Sequence, residues 1–305
     1  MSAGRVLVID GDCRLAERMR DLGGRRMVFF AGLPGTGKSL LVHQLAHLAG
    51  GAGRHVHLLQ WDVARPVFEA SPAGRRYPVA DGVTHGIIRK AAGLWVRRAV
   101  AGWHESHPGP EHLLVGETPF IGNRFVELAR RLDDEAEALL TAPACRFAIP
   151  VPSREVRRFL EAERERRAAS PLHPREREDA PPHVLRDLWR ELADVARQLA
   201  PGRAAAEPAA DCGRQTIAAA GDGSPPYDPA VYARVYQTIL RHRNVDTLEV
   251  DAILPTAKLS AYDFAVALPD LVPTESEAEA CIREIEGGHR DPSALARQLA
   301  RWWEV

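Results

Sequence analysis

Eight residues, Gly32-Leu33-Pro34-Gly35-Thr36-Gly37-Lys38-Ser39, constrain this chain more than any other stretch. Glycines at 32, 35 and 37 permit backbone angles that a β-carbon blocks, so successive N–H groups can curl around an anion. The run before them, Met27-Val28-Phe29-Phe30-Ala31, is unbroken and apolar, which suits a strand buried on both faces. After them Leu40, Leu41, Leu45 and Leu48 recur at helical spacing until Gly50-Gly51. A helix starting there directs its positive dipole end at the same anion.

In that strand–turn–helix setting the pattern Gly-x-x-x-x-Gly-Lys-Ser is a Walker A phosphate loop, the alternative being a chance glycine-rich turn. Lys38 is expected to reach the β- and γ-phosphates of a nucleoside triphosphate. The Ser39 hydroxyl is expected to ligate Mg²⁺.

Along the chain the pattern predicts a strand at Arg5–Ile9, a helix at Arg14–Leu22, a second strand at His55–Trp61 and a helix between Asp81 and Trp103. A third strand at His112–Gly116, a helix at Arg124–Leu140 and a fourth strand at Ala144–Val151 follow. The alternation implies a mainly parallel sheet with helices on both faces. Beyond it come helices at Ser153–Arg167, Val184–Leu199 and Ala230–Arg241, a fifth strand at Thr247–Leu254, and two tail helices at Glu275–Glu286 and Pro292–Trp303. Residues 200–226, rich in Ala, Gly and Pro, read as a flexible loop.

Parallel sheets bind ligands at the carboxyl ends of their strands, and acids stand at two expected ends. Asp62, in Gln60-Trp61-Asp62-Val63-Ala64-Arg65, is placed to accept the proton of an attacking hydroxyl, with Arg65 clamping an anionic substrate group. A structural salt bridge between the two is the alternative. Glu117 closes Leu113-Leu114-Val115-Gly116-Glu117, a strand like Walker B though interrupted by a glycine. It suits support of Mg²⁺ or a hydroxyl, against the alternative of a solvated loop acid. Asp10-Gly11-Asp12 reads as a turn.

Arg154, Arg157, Arg158, Arg164, Arg166, Arg167 and Arg175 cluster after the fourth strand. Arginines on a closing lid stabilise the charge of a transferring phosphoryl group, and Arg164 and Arg167 are the cofactor-binding candidates among them. Glu155, Glu161, Glu163 and Glu165 are interleaved, so a solvated helix laced with i,i+4 pairs competes.

Composition narrows the partners. Hydrophobic residues at 45% and charged ones at 27% are ordinary for a folded protein, so wholesale disorder is not expected. A formal net charge of −1 gives no electrostatic case for a dedicated nucleic-acid binder. Cysteines 13, 145, 212 and 281 show no zinc-ligand spacing and read as free thiols. The pairs His43/His47 and His104/His107 lack a third ligand at a recognisable spacing and read as surface or satisfied histidines. No run of about 18 apolar residues suggests a membrane span, and no signal peptide is visible, so a cytoplasmic protein is expected.

These residues together resemble the P-loop kinase superfamily, which includes nucleotide, gluconate, shikimate and chloramphenicol kinases and the zeta toxins. The resemblance spans about residues 26–255 and is specific only at Gly32–Ser39. It implies a three-layer P-loop NTPase fold, α/β, with an arginine-rich lid and C-terminal helices. The implied organisation is a strand–helix extension at 1–24, a kinase-like domain at 25–270 with the lid at about 153–182, and a helical tail at 271–305. Gly32, Gly35, Thr36, Gly37, Lys38 and Ser39 would hold ATP, Ser39 and Glu117 would hold Mg²⁺, and Pro255-Thr256-Ala257 would border the adenine. Lys38, Asp62, Arg65 and Glu117 would carry catalysis toward a small-molecule acceptor bearing a hydroxyl or phosphate. A nucleotide-hydrolysing regulatory or assembly switch and a nucleic-acid-end kinase are the alternatives, and a homo-oligomer is left open.

Overall fold

The computed structural model describes residues 7–80, 82–199, 225–256, 258–288 and 292–305. Its centre is a sheet of five strands in the order β2-β3-β1-β4-β5. The strands are β1 (Met27–Ala31), β2 (His55–Gln60), β3 (His112–Thr118), β4 (Cys145–Pro152) and β5 (Val245–Val250), and every pairing is parallel. Parallel neighbours need crossovers, and helices supply them.

All of β1 is buried, and its alternation divides the core into two layers. Val28 and Phe30 face Leu15, Met19 and Leu22 of α1 (Cys13–Gly23) and Leu41 and Leu45 of α2 (Lys38–Gly51). Met27, Phe29 and Ala31 face the opposite layer, which includes α3 (Trp61–Ala70), α4 (Gly86–Ser106), α5 (Glu135–Thr141), α7 (Pro182–Gln198) and α8 (Pro229–Ile239). On that side α9 (Glu275–Gly288) packs on α4, and α10 (Pro292–Ala300) leads to Trp302 and Trp303, both buried. Trp302 Nε1 donates to Glu191 at 2.8 Å, so this pair docks the chain's end onto the core.

The glycine inside β3 has a packing reason. A Cβ on Gly116 would lie 2.4 Å from Cδ1 of the Phe29 ring, which stacks on Phe147 at 5.1 Å between centroids. The exposed side of β2 is covered by Pro269–Leu271, whose backbone pairs with Leu58 at 2.9 and 2.7 Å. That contact shields a sheet edge that would otherwise offer open hydrogen-bonding groups.

Two expected elements differ in kind, and the strand expected at Thr247–Leu254 lies at Val245–Val250. The strand expected at Arg5–Ile9 is, where described, a 3-10 turn at Val8–Gly11, because the Gln44 side chain accepts from the N–H groups of Val8 and Ile9 and draws the segment onto α2 instead of the sheet. The continuous helix expected at Arg124–Leu140 is broken into a 3-10 turn at Val126–Leu128 and α5. Left-handed backbone at Phe120, Asn123 and Phe125 turns the chain sharply there, and Asp134 starts α5 by accepting from the Glu137 N–H. Asp12 of the expected turn caps α1 by accepting from Leu15 at 3.1 Å. The stretch expected to be a flexible loop lies mostly outside the described residues, as does Cys212; Cys13, Cys145 and Cys281 are free.

Because Phe29 is clamped from its other side, it cannot yield to a methyl group. Gly116→Ala is therefore expected to destabilise the fold by about 1–3 kcal/mol, read as a lower midpoint in urea denaturation; an unchanged midpoint would show that this contact is soft.

Candidate functional site

Since all five strands run the same way, the loops after them share one rim. The connection after β1 leads toward β2 and that after the adjacent β4 leads toward β5, so the chain reverses its direction of winding beside β1. Such switch points are where crevices open, and Gly32–Ser39 sits at this one.

The loop is built to stay open. Gly35 and Gly37 have φ of +73° and +84°, and Gly37 is the left-handed N-cap of α2, with no side-chain hydrogen bond capping the helix. Gly32 packs so close to the Tyr232 hydroxyl that a Cβ would collide with it, and that hydroxyl accepts from the Leu33 N–H at 3.2 Å. The Thr36 hydroxyl and the Lys38 ammonium both donate to the Leu33 carbonyl at 2.9 Å. Lys38 is buried, and its Nζ lies 3.5 Å from Glu117. Burial lowers the Lys38 pKa while Glu117 and Asp62 oppose that shift.

Glu117 is the penultimate residue of β3, level with Phe30 of β1 and Gln60 of β2. The Ser39 hydroxyl donates to it at 3.2 Å. A hydroxyl and a carboxylate set against each other at the mouth of the loop are oxygen donors of the kind a hard cation such as Mg²⁺ prefers.

Asp62 lies in the first turn of α3, two residues past the end of β2, and is exposed. It bears electrostatically on both Lys38 and Arg124. Arg65 pairs with Glu69 at 2.8 Å, along its own helix. The ion pair with Asp62 weighed from sequence therefore gives way to an i,i+4 pair.

Arg124 is a residue that sequence reasoning missed. It sits after β3 in the strained loop where Phe120, Asn123 and Phe125 have φ of 59°, 63° and 59°. Phe120 and Arg124 exchange backbone hydrogen bonds at 3.0 and 3.1 Å, which fixes the loop. Burial lowers the Arg124 pKa, Asp62 and Glu191 oppose, and Arg65 adds to the lowering. Guanidinium does not deprotonate in proteins, so this is a partly buried fixed cation within electrostatic range of Asp62. Left-handed non-glycine residues cluster at functional sites, and that backbone strain is the signal a sequence does not carry.

The arginine cluster divides. Ser153 caps α6 (Arg154–Ala169). Arg164 pairs with Asp179, Arg154 with Asp228, and Arg166 with Glu163. Arg167 bonds Glu163 and, at 2.5 Å, Glu176. Arg157 is the one of the seven bonded to the glycine loop: it is 1% exposed and donates to the Pro34 and Gly35 carbonyls at 3.4 and 3.1 Å. Its Nε bonds Glu161 at 2.7 Å, while its Nη2 is buried without a partner.

Between α6 and the end of β5 an apolar groove opens beside the loop, lined by Thr36, Leu40, Phe159, Leu160, Ile253 and Thr256. Thr256 belongs to the segment expected to border a base; Ala257 lies outside the described residues. In comparisons with known proteins, no family model, no curated protein and no solved structure matches the chain, so its function has to be read from the site itself.

The anchor of α6 predicts a pH effect. Burial pushes the Glu176 carboxyl up, but hydrogen bonds from Ser260, Arg167 and the N–H groups of Leu172 and His173 outweigh it and hold the group at about 2, against an ordinary value of 4.5. A carboxylate depressed in the fold contributes stability that is present above pH 4.5 and is lost as pH falls toward 2. Thermal melts across that window are expected to fall less steeply in Glu176→Gln than in the parent; parallel curves would mean that the network contributes no pH-dependent stability.

Proposed function

We propose that the chain is an ATP- and Mg²⁺-dependent P-loop kinase that transfers the γ-phosphoryl group to a small acceptor carrying a hydroxyl and an anionic group. The observation that carries this reading is the convergence of Lys38, Ser39 and Glu117 at the glycine loop with Asp62 and Arg124 beside them. A parallel sheet with flanking helices is compatible with the P-loop layout without being specific to it.

In this mechanism the amides of Gly35–Ser39 and the Lys38 ammonium hold the triphosphate, and the groove at Phe159 and Thr256 takes the base. Ser39 and Glu117 hold Mg²⁺, whose bound charge offsets that of the phosphates. The acceptor lies on Arg124 and Arg65 with its hydroxyl toward Asp62. As the hydroxyl oxygen bonds to the γ-phosphorus, the bond to the leaving diphosphate breaks and Asp62 takes the proton. The free Nη2 of Arg157 meets the charge that spreads over the transferring group. A compact acceptor fits this reading better than a nucleic-acid end, because the chain's formal net charge is −1.

Incubation with γ-labelled ATP, Mg²⁺ and a panel of hydroxylated phosphates and carboxylates is expected to move label to one class of acceptor. Release of free phosphate alone, stimulated by a protein, would instead favour a nucleotide switch. Lys38→Ala is expected to lower turnover by at least about 100-fold with an unchanged circular dichroism spectrum; undiminished turnover removes the mechanism.

Arg124 should act on acceptor binding. Arg124→Ala is expected to raise the KM for the acceptor by about tenfold or more while leaving the KM for ATP within about twofold. Equal effects on both substrates would take Arg124 out of the acceptor site.

A further inference from the structure

At the opposite rim of the sheet, where the strands begin, three histidines from separate elements converge. His57 lies on β2, His112 opens β3, and His107 is the C-cap of α4. One ring nitrogen from each lies within 4.8 Å of the other two. His57 Nε2 and His112 Nδ1 are 3.3 Å apart. A tetrahedral metal with bonds of about 2.0–2.1 Å to nitrogen requires nitrogens about 3.3–3.4 Å apart, so this pair already has the needed spacing.

The tautomers favour a cation at this point. His107 Nδ1 faces the Trp103 carbonyl at 3.0 Å, an oxygen that only accepts, so the proton sits on Nδ1 and the lone pair on Nε2. His112 Nε2 faces the Glu111 carboxylate at 3.4 Å, which leaves the lone pair on the Nδ1 that looks at His57. A neutral His57 has one proton and can satisfy one of those lone pairs. A metal ion satisfies all three rings together, with Trp103 and Glu111 acting as the outer oxygen partners that orient ligating imidazoles.

The loop carrying His107 and His112 is braced in place. Arg26 donates to the carbonyls of Gly109 and His112 at 2.8 Å and lies over the Trp103 ring at 4.3 Å. Arg54 donates to the carbonyls of Pro110 and His112, also at 2.8 Å.

We propose that His57, His107 and His112 bind one borderline divalent metal ion, Zn²⁺, with the fourth position left to water, as a clip joining the end of α4 to the starts of β2 and β3. Imidazole donors without a first-sphere carboxylate select Zn²⁺ over Mg²⁺ or Ca²⁺. The site stands apart from the glycine loop and does not depend on the kinase reading.

The test uses the full chain, stripped with a chelator and titrated with ZnCl₂ by calorimetry, then with CoCl₂ by visible absorption. One equivalent of zinc with a dissociation constant below about 10 µM and a tetrahedral cobalt spectrum are expected. His107→Gln and His112→Gln should each weaken zinc by about 100-fold or more, and Glu111→Gln by about tenfold, with melting temperatures of the metal-free variants compared as a folding control. Lys38→Ala should bind zinc like the parent. No stoichiometric binding by the parent chain, or binding that survives both histidine substitutions, overturns the site.

Discussion

A strand whose side chains are all buried has to lie inside a sheet that is covered on both faces, and β1 is such a strand. That constraint fixes the rest. Two helix layers must cover the faces, and the crossovers that carry the chain between layers make the neighbours of β1 run parallel to it. Parallel strands sort their ends, so every carboxyl end lies on one rim and every amino end on the other. Gly32–Ser39, Asp62, Glu117 and Arg124 share the first rim because each stands at or beyond the carboxyl end of a strand, although up to 92 residues separate them in sequence numbering, from 32 to 124. His57 and His112 approach the second rim for the same reason.

The arginines show how much charge a fold can absorb without using it for binding. Arg97 and Arg243 are buried, both bond Glu137, and both also donate to backbone carbonyls of the loop after β3. Arg26 and Arg54 do the same for the loop before β3. A planar fork with five donors can close several carbonyl ends at once, which an ammonium cannot. Several guanidiniums, Arg26 among them, still keep a buried donor with no hydrogen-bond partner, and position is what separates them. Arg157 has one, held against the turn of the glycine loop.

Much of this was legible in the chain because local physics decides it. The apolar run at Met27–Ala31, the glycines, and the leucines of α2 specify strand, turn and helix without help from distant residues, and these elements occupy the expected positions. Helices α6 to α10 likewise follow from spacing and caps. What failed depends on distant partners. Val8 and Ile9 have strand-like composition, yet Gln44 claims their N–H groups. Arg124–Leu140 has helical composition, yet the left-handed turn that Gly122 shares with Phe120, Asn123 and Phe125 runs into it, and a phenylalanine at 125 does not announce such a turn. Arg164 and Arg167 are indistinguishable from Arg157 by composition; Arg157, near the start of α6, meets Gly35, while the other two, farther along the helix, meet Asp179 and Glu176. The three histidines come from three elements, so no spacing rule could have joined His107 to His57 and His112.

The chain's few lysines sharpen the case for the glycine loop. Arginine supplies nearly all of the positive charge, and of the three lysines, at 38, 90 and 258, Lys38 and Lys90 are each buried against a carboxylate. Lys90 meets Glu127 at 2.6 Å under Gly93, where a Cβ would already collide with that carboxylate. A guanidinium is wider than an ammonium and would not fit there. At Lys38 the same compactness lets one point charge sit between the Leu33 carbonyl and Glu117 while the backbone around it stays open. Arginine at that position would carry the same charge, but its planar fork would fill the turn that the glycines keep clear. The charge inside the loop therefore has to be small as well as positive, a requirement that follows from leaving room for an anion beside it.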